Sequence, residues 1–513
     1  MPATKKRSSA FLPRALRRAR CLLPWVLLVA LPAVAHVGSP DVFYEGDAGP
    51  YHLFVTVRVP QVVPGVAEVE IRSQSNDVTQ VQIVALRLAG AGAAYPPTAE
   101  MTKRSKQDPQ FFTGSLWLME FGSLQVRVQV DGAHGKGELS VPVPAIAQRA
   151  MQMSKPLAAL LFCLMTILAF GAVAIATAGA REAELVPGAM PTKSSRRRAR
   201  IVMVAASISV FALLYGGRRW WDLEKAVANA NVYQAPQMSA TLESGARLLL
   251  TVQEKKPTRE VPRGWVEPGY LADLMLDHNH LMHLFLIRVP QMDRFLHLHP
   301  YKADGDQFIV QLPNMPAGRY QIFADVVHQT GFPTTMVGEV ELPDIPGKPT
   351  AGDDSVWAGP AILSGANATP ECSLPDGGKM IWERPATPLK AGMLIDFRFR
   401  VEDAEGKPVQ NLEPYMGMAA HGEFVRSDLT VFAHIHPAGS APMAALELAQ
   451  AGLLAYGGQP QSAMSPDMAM PAASLPPEVS FPYGFPKAGD YRLFIQVKRA
   501  GQVETGVFDA HVE

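Results

Sequence analysis

Two stretches, HLFLIRVPQMDRFLHLHP at 283–300 and HGEFVRSDLTVFAHIHP at 421–437, decide the fold of this chain. Each begins with a histidine, reaches an arginine five residues later and ends in Phe-x-His-x-His-Pro. A second pair, AGRYQIFADV at 317–326 and AGDYRLFIQV at 488–497, follows in the same order. Two matched blocks in one order indicate a duplicated domain.

The matched blocks have the composition of β-strands. They are rich in β-branched and aromatic residues and are bounded by Gly, Pro and Asp. Stretches near the N-terminus, such as PYHLFVTVRVP at 50–60 and SLQVRVQV at 123–130, share this composition. The sequence therefore predicts a mainly β fold with three β-sandwich domains, at 36–150, 235–346 and 357–513.

Three apolar segments suggest export and a membrane anchor. Residues 1–35 are basic, then apolar, and end in Ala-Val-Ala, which is typical of a signal peptide, cleaved or kept as an anchor. Within 155–217, the segments 156–180 and 201–217 are predicted transmembrane helices; a buried core helix is the alternative. The basic loop 181–200 between them favours the cytoplasm, because cytoplasmic loops carry excess Lys and Arg. The remaining domains would then face the periplasm from a bacterial inner membrane.

Charge, motifs and cysteines exclude several functions. The chain has 47 basic and 47 acidic residues, so it has no overall basic field for nucleic acid. It lacks a phosphate-binding glycine loop, a G-x-S-x-G motif and an H-E-x-x-H motif, and we expect no enzyme activity. Cys372 is the only cysteine outside the signal and membrane segments, which excludes a cysteine-based zinc site there.

The histidines form a pattern that suits a metal. Alternate strand residues share a face, so His297 with His299, and His434 with His436, each form a pair beside an upstream histidine. A hairpin centred near Pro290 pairs His283 with His297. In the second copy, a hairpin loop of two or four residues pairs His421 with His434 or His436. A loop of three residues there would place His421 on the opposite face of the sheet.

Imidazole suits copper or zinc, and methionine sulfur favours copper. The candidate metal ligands are His283, His297, His299, His328, His421, His434, His436, Met443 and, if processing exposes it, His36. The alternative is that the histidines lie on strand edges and the methionines fill the core.

Some of these stretches resemble known families. HNHLMHLFLIR at 278–288, with the blocks after it, resembles YtkA-like extracytoplasmic domains. Residues 36–60, with the following membrane segment, resemble YtkA-like and FixH-like membrane-anchored domains, and a histidine after a signal peptide is similar to CopC-like periplasmic copper carriers. The resemblance implies immunoglobulin- or cupredoxin-like sandwiches linked to copper handling or oxidase assembly. A blue-copper centre is not expected, because Cys372 is far from every histidine motif in sequence.

We therefore expect a membrane-anchored periplasmic protein that binds copper, or alternatively zinc, for buffering, delivery or resistance. The second hypothesis is a non-catalytic structural module of a membrane complex, in which the histidines only pack. The expected partners of the protein are a metal ion, the inner membrane and a membrane protein complex, with no nucleic acid.

Overall fold

The computed structural model describes residues 41–150, 153–186, 188–230, 232–253, 271–303, 306–359, 370–455 and 475–513. All of them belong to one compact unit. The predicted signal peptide and the candidate ligand His36 lie outside the described residues. The described chain is mainly β, as predicted, with three α-helices.

The first β region, residues 42–145, contains two sheets that share one core. Their strand orders are β1-β2-β3-β7-β6 and β5-β4-β8-β9. Alternate residues of both sheets point inward, and Val55, Ile71, Val126 and Val141 are fully buried in one cluster. The strands are β1 (Val42–Ala48), β2 (Tyr51–Arg58), β3 (Gly65–Ser73), β4 (Val78–Arg87), β5 (Glu100–Met101), β6 (Lys103–Arg104), β7 (Phe111–Leu118), β8 (Gly122–Gly132) and β9 (Gly135–Ala145).

Two long helices follow, α1 (Lys155–Glu182) and α2 (Lys193–Ala230), and both are long and apolar enough to cross a membrane. None of the residues of α1 is buried, and α2 buries only Ser195 and Ala199. The basic loop predicted at 181–200 is shorter than expected, because its last eight residues form the start of α2. Lys and Arg are good helix formers, which explains this extension.

The second β region, residues 237–358, differs from a two-sheet sandwich. It forms one ten-stranded sheet with the order β15-β16-β11-β10-β18-β17-β13-β14-β19, and β12 pairs with β17. A parallel bridge between Gln237 and Val337 joins its two halves. The strands are β10 (Gln237–Glu243), β11 (Arg247–Gln253), β12 (Leu274–Met275), β13 (His283–Val289), β14 (Arg294–Leu298), β15 (Tyr301–Lys302), β16 (Gln307–Gln311), β17 (Gly318–His328), β18 (Pro333–Leu342) and β19 (Ser355–Ala358).

The third β region, residues 371–512, again has two sheets around one core. The sheet β20-β21-β22-β26 faces the sheet β23-β27-β24-β25, in which β28 also pairs with β27. Trp382, Phe399 and Ile495 lie in the shared core. The elements are β20 (Glu371–Ser373), β21 (Lys379–Glu383), β22 (Ile395–Glu402), β23 (Leu412–Glu413), β24 (His421–Arg426), β25 (Phe432–Ile435), α3 (Met443–Ala455), β26 (Glu478–Tyr483), β27 (Gly489–Arg499) and β28 (Gln502–Val512).

The sequence repeat is also a structural repeat. The hairpin β13–β14 pairs with β17, and the hairpin β24–β25 pairs with β27 in the same way. His283 lies opposite Asp325, and His421 lies opposite the matching residue Gln496. The two hairpin turns differ in length by one residue. The last strand pair of the first hairpin is separated by residues 288–294, and that of the second by residues 426–431. The two hairpins nevertheless keep the same register relative to the His-x-His motif.

The two copies pack against each other through equivalent aromatic residues. Phe295 stacks on Phe494 with ring centroids 4.2 Å apart, and Phe432 stacks on Phe323 at 4.3 Å. Phe295 matches Phe432 in the repeat, and Phe323 matches Phe494, so the contact is reciprocal, as in a two-fold symmetric interface. All four rings are buried in one apolar cluster with Phe285, and this cluster fixes how the two regions meet.

Replacing one stacked ring tests this interface. We expect Phe432→Ala to lower the free energy of unfolding by roughly 3–5 kcal/mol, because it leaves a cavity between two regions. Urea unfolding of the detergent-solubilised chain, followed by tryptophan fluorescence, measures the loss, since Trp357 lies 5.8 Å from Phe494. Tyr301→Ala is the control: its side chain is 60% exposed, and we expect a change within about 0.5 kcal/mol. Equal losses of unfolding free energy in Phe432→Ala and Tyr301→Ala would contradict the conclusion that the stacked rings fix the interface.

Candidate metal centre

A tight turn precedes the first histidine strand and carries two further histidines. Asp277 and His280 form a β-bridge, and the two residues between them, His278 and Asn279, have φ of 51° and 66°. His and Asn are among the non-glycine residues that tolerate this left-handed region best. The third region has the same turn between Tyr415 and Met418. In the repeat, Met416 therefore matches His278, and Met418 matches His280.

The first histidine group consists of His283, His297 and His299, and all come from the second region. One ligand nitrogen from each lies within 4.8 Å of the others. The predicted shared face is confirmed, but the predicted pairing of His283 with His297 is wrong by two residues. Phe285 lies opposite His297, and the same register sets His283 against His299. The physical reason is the turn, which is centred one residue after Pro290.

The second group consists of His278, His421 and His436, again with ligand nitrogens within 4.8 Å. Arg426 N–H donates to the Val431 carbonyl and closes a four-residue loop, which sets His421 opposite His436. This is one of the two predicted arrangements. His278 was not among the predicted ligands; it reaches this group from the second region.

Hydrogen bonds fix the tautomers of the inner rings. His278 donates Nδ1–H to the Met416 carbonyl at 2.7 Å, so its Nε2 carries a lone pair. That atom lies 3.3 Å from Nε2 of His436. A neutral imidazole with one nitrogen held by a carbonyl presents the other nitrogen as a ligand, as in known metal sites.

Hydrogen bonds also fix the tautomers of two rings in the first group, and they leave two nitrogens with lone pairs facing each other. His283 donates Nε2–H to the Asp277 carbonyl at 3.2 Å, and His297 donates Nδ1–H to Oε1 of Gln496 at 2.9 Å. The remaining atoms, Nδ1 of His283 and Nε2 of His297, lie 3.2 Å apart with a lone pair each. Two lone pairs at this distance repel unless a cation lies between them. Two nitrogens bound to one tetrahedral ion at ~2.0–2.1 Å are separated by about 3.3 Å.

Acidic side chains hold the outer rings. His299 donates Nδ1–H to Asp354 at 2.9 Å, and Nδ1 of His434 lies 3.3 Å from Asp325. In both rings, Nε2 is buried without a hydrogen-bond partner, and His421 has neither nitrogen paired. Each such buried atom costs about 1–3 kcal/mol if it stays unpaired. The buried carboxyl of Glu423, 3.6 Å from Nδ1 of His297, is also without a hydrogen bond.

Burial sets the protonation of the centre. Removal from water lowers the pKa of His278 below its usual value, and it lowers the pKa of His280 to about 4. The pKa values of four deeper rings lie well below the ordinary value for the same reason: His283, His297, His421 and His436. Burial also raises the pKa of the Glu423 carboxyl well above its usual range. These imidazoles are therefore neutral at neutral pH, which is the form that binds metal.

The structure separates the remaining candidates. His434 lies between the two groups, with its ring centroid 5.4 Å from that of His283 and 5.6 Å from that of His421. His328 joins neither group among the described residues, because Asp273 and Thr334 hold its two nitrogens. Met443 begins α3 and packs against the core of the first region.

The ligands predicted from the sequence did not include His278 or His280. The ring of His280 stacks on that of His299, with centroids 3.8 Å apart. The density of histidines in DHNHLMH was the signal that could have identified both. Cys372 accepts a hydrogen bond from Val507 N–H and belongs to neither group in the described part of the chain.

Comparison with known proteins adds little beyond this geometry. A domain of unknown function, DUF8832, matches residues 374–513, which includes the second copy of the repeat. No curated protein matches the sequence at a significant level. The likeness to YtkA-like, FixH-like and CopC-like proteins stays a prediction.

Three solved structures with some likeness to this chain are each distant from it. The tetra-tandem repeat of a large adhesion protein is 8% identical, with a TM-score of 0.16, and the match covers 92% of this chain and 82% of that one. Salmonella alpha-2-macroglobulin is 8% identical with a TM-score of 0.19, covering 94% of this chain and 24% of that one. SGBP-B of Bacteroides uniformis is 8% identical with a TM-score of 0.15, covering 89% and 96%. These similarities carry no argument about function.

Proposed function

We propose that this chain is a membrane-anchored periplasmic protein that binds a transition-metal ion, copper first, at the histidine centre between its second and third β regions. Its role would be metal buffering, delivery or resistance. The observation that carries the proposal is the 3.2 Å distance between Nδ1 of His283 and Nε2 of His297 in a buried site, with the other nitrogen of each ring held by an oxygen acceptor. These outer contacts leave a lone pair on each of the two facing nitrogens. A bound cation turns the repulsion between these lone pairs into two ligand bonds.

Several other features support a metal over simple packing. The tautomers are held by carbonyl, amide and carboxylate acceptors that leave the other nitrogens facing inward, as the outer contacts of metal ligands do. Burial lowers the pKa of five of the six grouped histidines, all except His299, so an ion does not have to displace protons from those five rings at neutral pH. Imidazole suits both copper and zinc. Met416 and Met418 are buried in the turn that matches the turn of His278 and His280. Thioether sulfur is a ligand type that favours copper over zinc.

Metal content tests the proposal directly. The full-length chain, purified in detergent and incubated with Cu(II) or Zn(II), should retain metal after desalting, measured by elemental analysis. The variant with His297, His299, His421 and His436 all changed to Ala should retain almost none, because both groups lose two ligands. The control changes His134 and His511 to Ala; these side chains are 62% and 64% exposed, and metal content should stay at the wild-type level. A metal-free wild type would leave the packing hypothesis standing.

The buried histidines also predict acid sensitivity of the metal-free protein. The folded-state pKa values of His278, His280, His283, His297, His421 and His436 lie below the usual ~6.5. At these six positions the unfolded chain therefore binds more protons than the folded chain once the pH falls through 6.5. The contribution of these histidines to the free energy of unfolding should therefore be complete above that pH. It should decrease as the pH falls toward ~4, near the pKa of about 4 for His280. Urea titrations at several pH values in the presence of a chelator measure this slope. The four-histidine variant should show a flatter dependence, and equal slopes would contradict the assignment.

Membrane topology gives a separate test of the location. A reporter that is active only in the cytoplasm should stay silent when fused after Glu513 and should work when inserted near Ser194. The positive charge at the start of α2 is the reason, because this end of the helix carries Arg196, Arg197 and Arg198. The opposite pattern of activity would place the histidine centre in the cytoplasm.

A further inference from the structure

We infer that the histidine cluster is a two-ion centre, and that its second site is assembled across the interface by His278. The inference rests on the proposed function and goes beyond it in number and construction of sites. The two groups share no residue: one is His283, His297 and His299, and the other is His278, His421 and His436.

One ion cannot use both groups. Zinc sites almost always have four ligands, at ~2.0–2.1 Å for nitrogen, whereas eight histidines lie in the cluster. The ring centroids of His278 and His283 are 5.9 Å apart, and those of His297 and His421 are 6.1 Å apart. The groups are therefore neighbours, each with its own set of converging nitrogens.

The repeat explains why there are two sites and why they differ. His421 and His436 match His283 and His299, so each copy contributes one pair from its own hairpin. The third ligand of the first site is His297, from the same hairpin. Its counterpart His434 is not in the second group, where His278 from the other region takes the third place. Met416 occupies the position of His278 in the second copy, so no equivalent exchange of a histidine occurs in the other direction.

His434 lies where it can serve both sites. Its ring is 4.6 Å from His436 and 5.7 Å from His297, and its Nε2 is buried without a hydrogen-bond partner. Each group offers three ligand nitrogens, one fewer than the four ligands that zinc sites usually have. His434 is thus available as a fourth ligand at either site.

Titration with Cu(II) alone tests the two-ion centre. The full-length chain in detergent should retain two Cu(II) per chain after desalting, with magnetic coupling between them in the electron paramagnetic resonance spectrum. His278→Asn should retain one ion with an uncoupled spectrum, because it removes one ligand of the second site only; asparagine tolerates the positive φ of that turn. His299→Asn should likewise retain one ion, the double variant none, and His134→Asn, at the surface, two.

The outcomes separate the two proposals. No retained copper in the wild type contradicts metal binding itself. One retained ion, or two ions lost together in either single variant, contradicts separate sites while leaving metal binding intact. Two ions in both single variants would place the copper elsewhere. His421→Asn repeats the test of the second site, and circular dichroism of each variant distinguishes loss of a ligand from loss of the fold.

Discussion

The reciprocal packing of two β-hairpins is the contact on which the histidine centre depends. Phe295 on Phe494, and Phe432 on Phe323, exclude water from one face of each hairpin. The histidines continue along the same strand faces, so the same contact buries them. Burial lowers the pKa of His283, His297, His421 and His436 and raises the cost of each unpaired nitrogen. In an open arrangement of the two regions, the same side chains would be solvated, and little would favour a bound ion over water.

The repeat allowed much of this arrangement to be predicted from the sequence. Strand periodicity places each His-x-His pair on one face, and the matched arginine and phenylalanine positions indicate equivalent hairpins. The direct partner of His283 could not be predicted, because it depends on how many residues the turn accommodates. The turn centre differs by one residue from the predicted one, and in an antiparallel pair that moves each partner by two positions. The face is therefore conserved while the pairing changes.

Contacts between regions were outside the reach of sequence spacing. His278 belongs to the second region by sequence but to the second histidine group by position. Conversely, Met443 follows His436 closely in sequence, yet it starts a helix that packs against the first region. His328 lies on β17 at the position of Arg499 on β27. His328 forms a hydrogen bond with the carboxylate of Asp273, and Arg499 forms an ion pair with Glu504. In both copies, this strand position therefore stabilises the β fold rather than contributing a ligand.

The segment after the second histidine hairpin links the centre to the rest of the chain. His436 and Gly439 form a bridge, and Gly439 also bridges Tyr44 of the first region. Asp277, whose carbonyl holds His283, accepts a hydrogen bond through its side chain from Ala444 N–H at the start of α3. All three β regions therefore meet within a few residues of the proposed metal ligands. Because His283, His297 and His421 are at most 2% exposed, an ion at the proposed centre would enter or leave only when these contacts open. The interface between the second and third regions is the place where opening separates ligands, since His278 and its two partners lie on opposite sides of it.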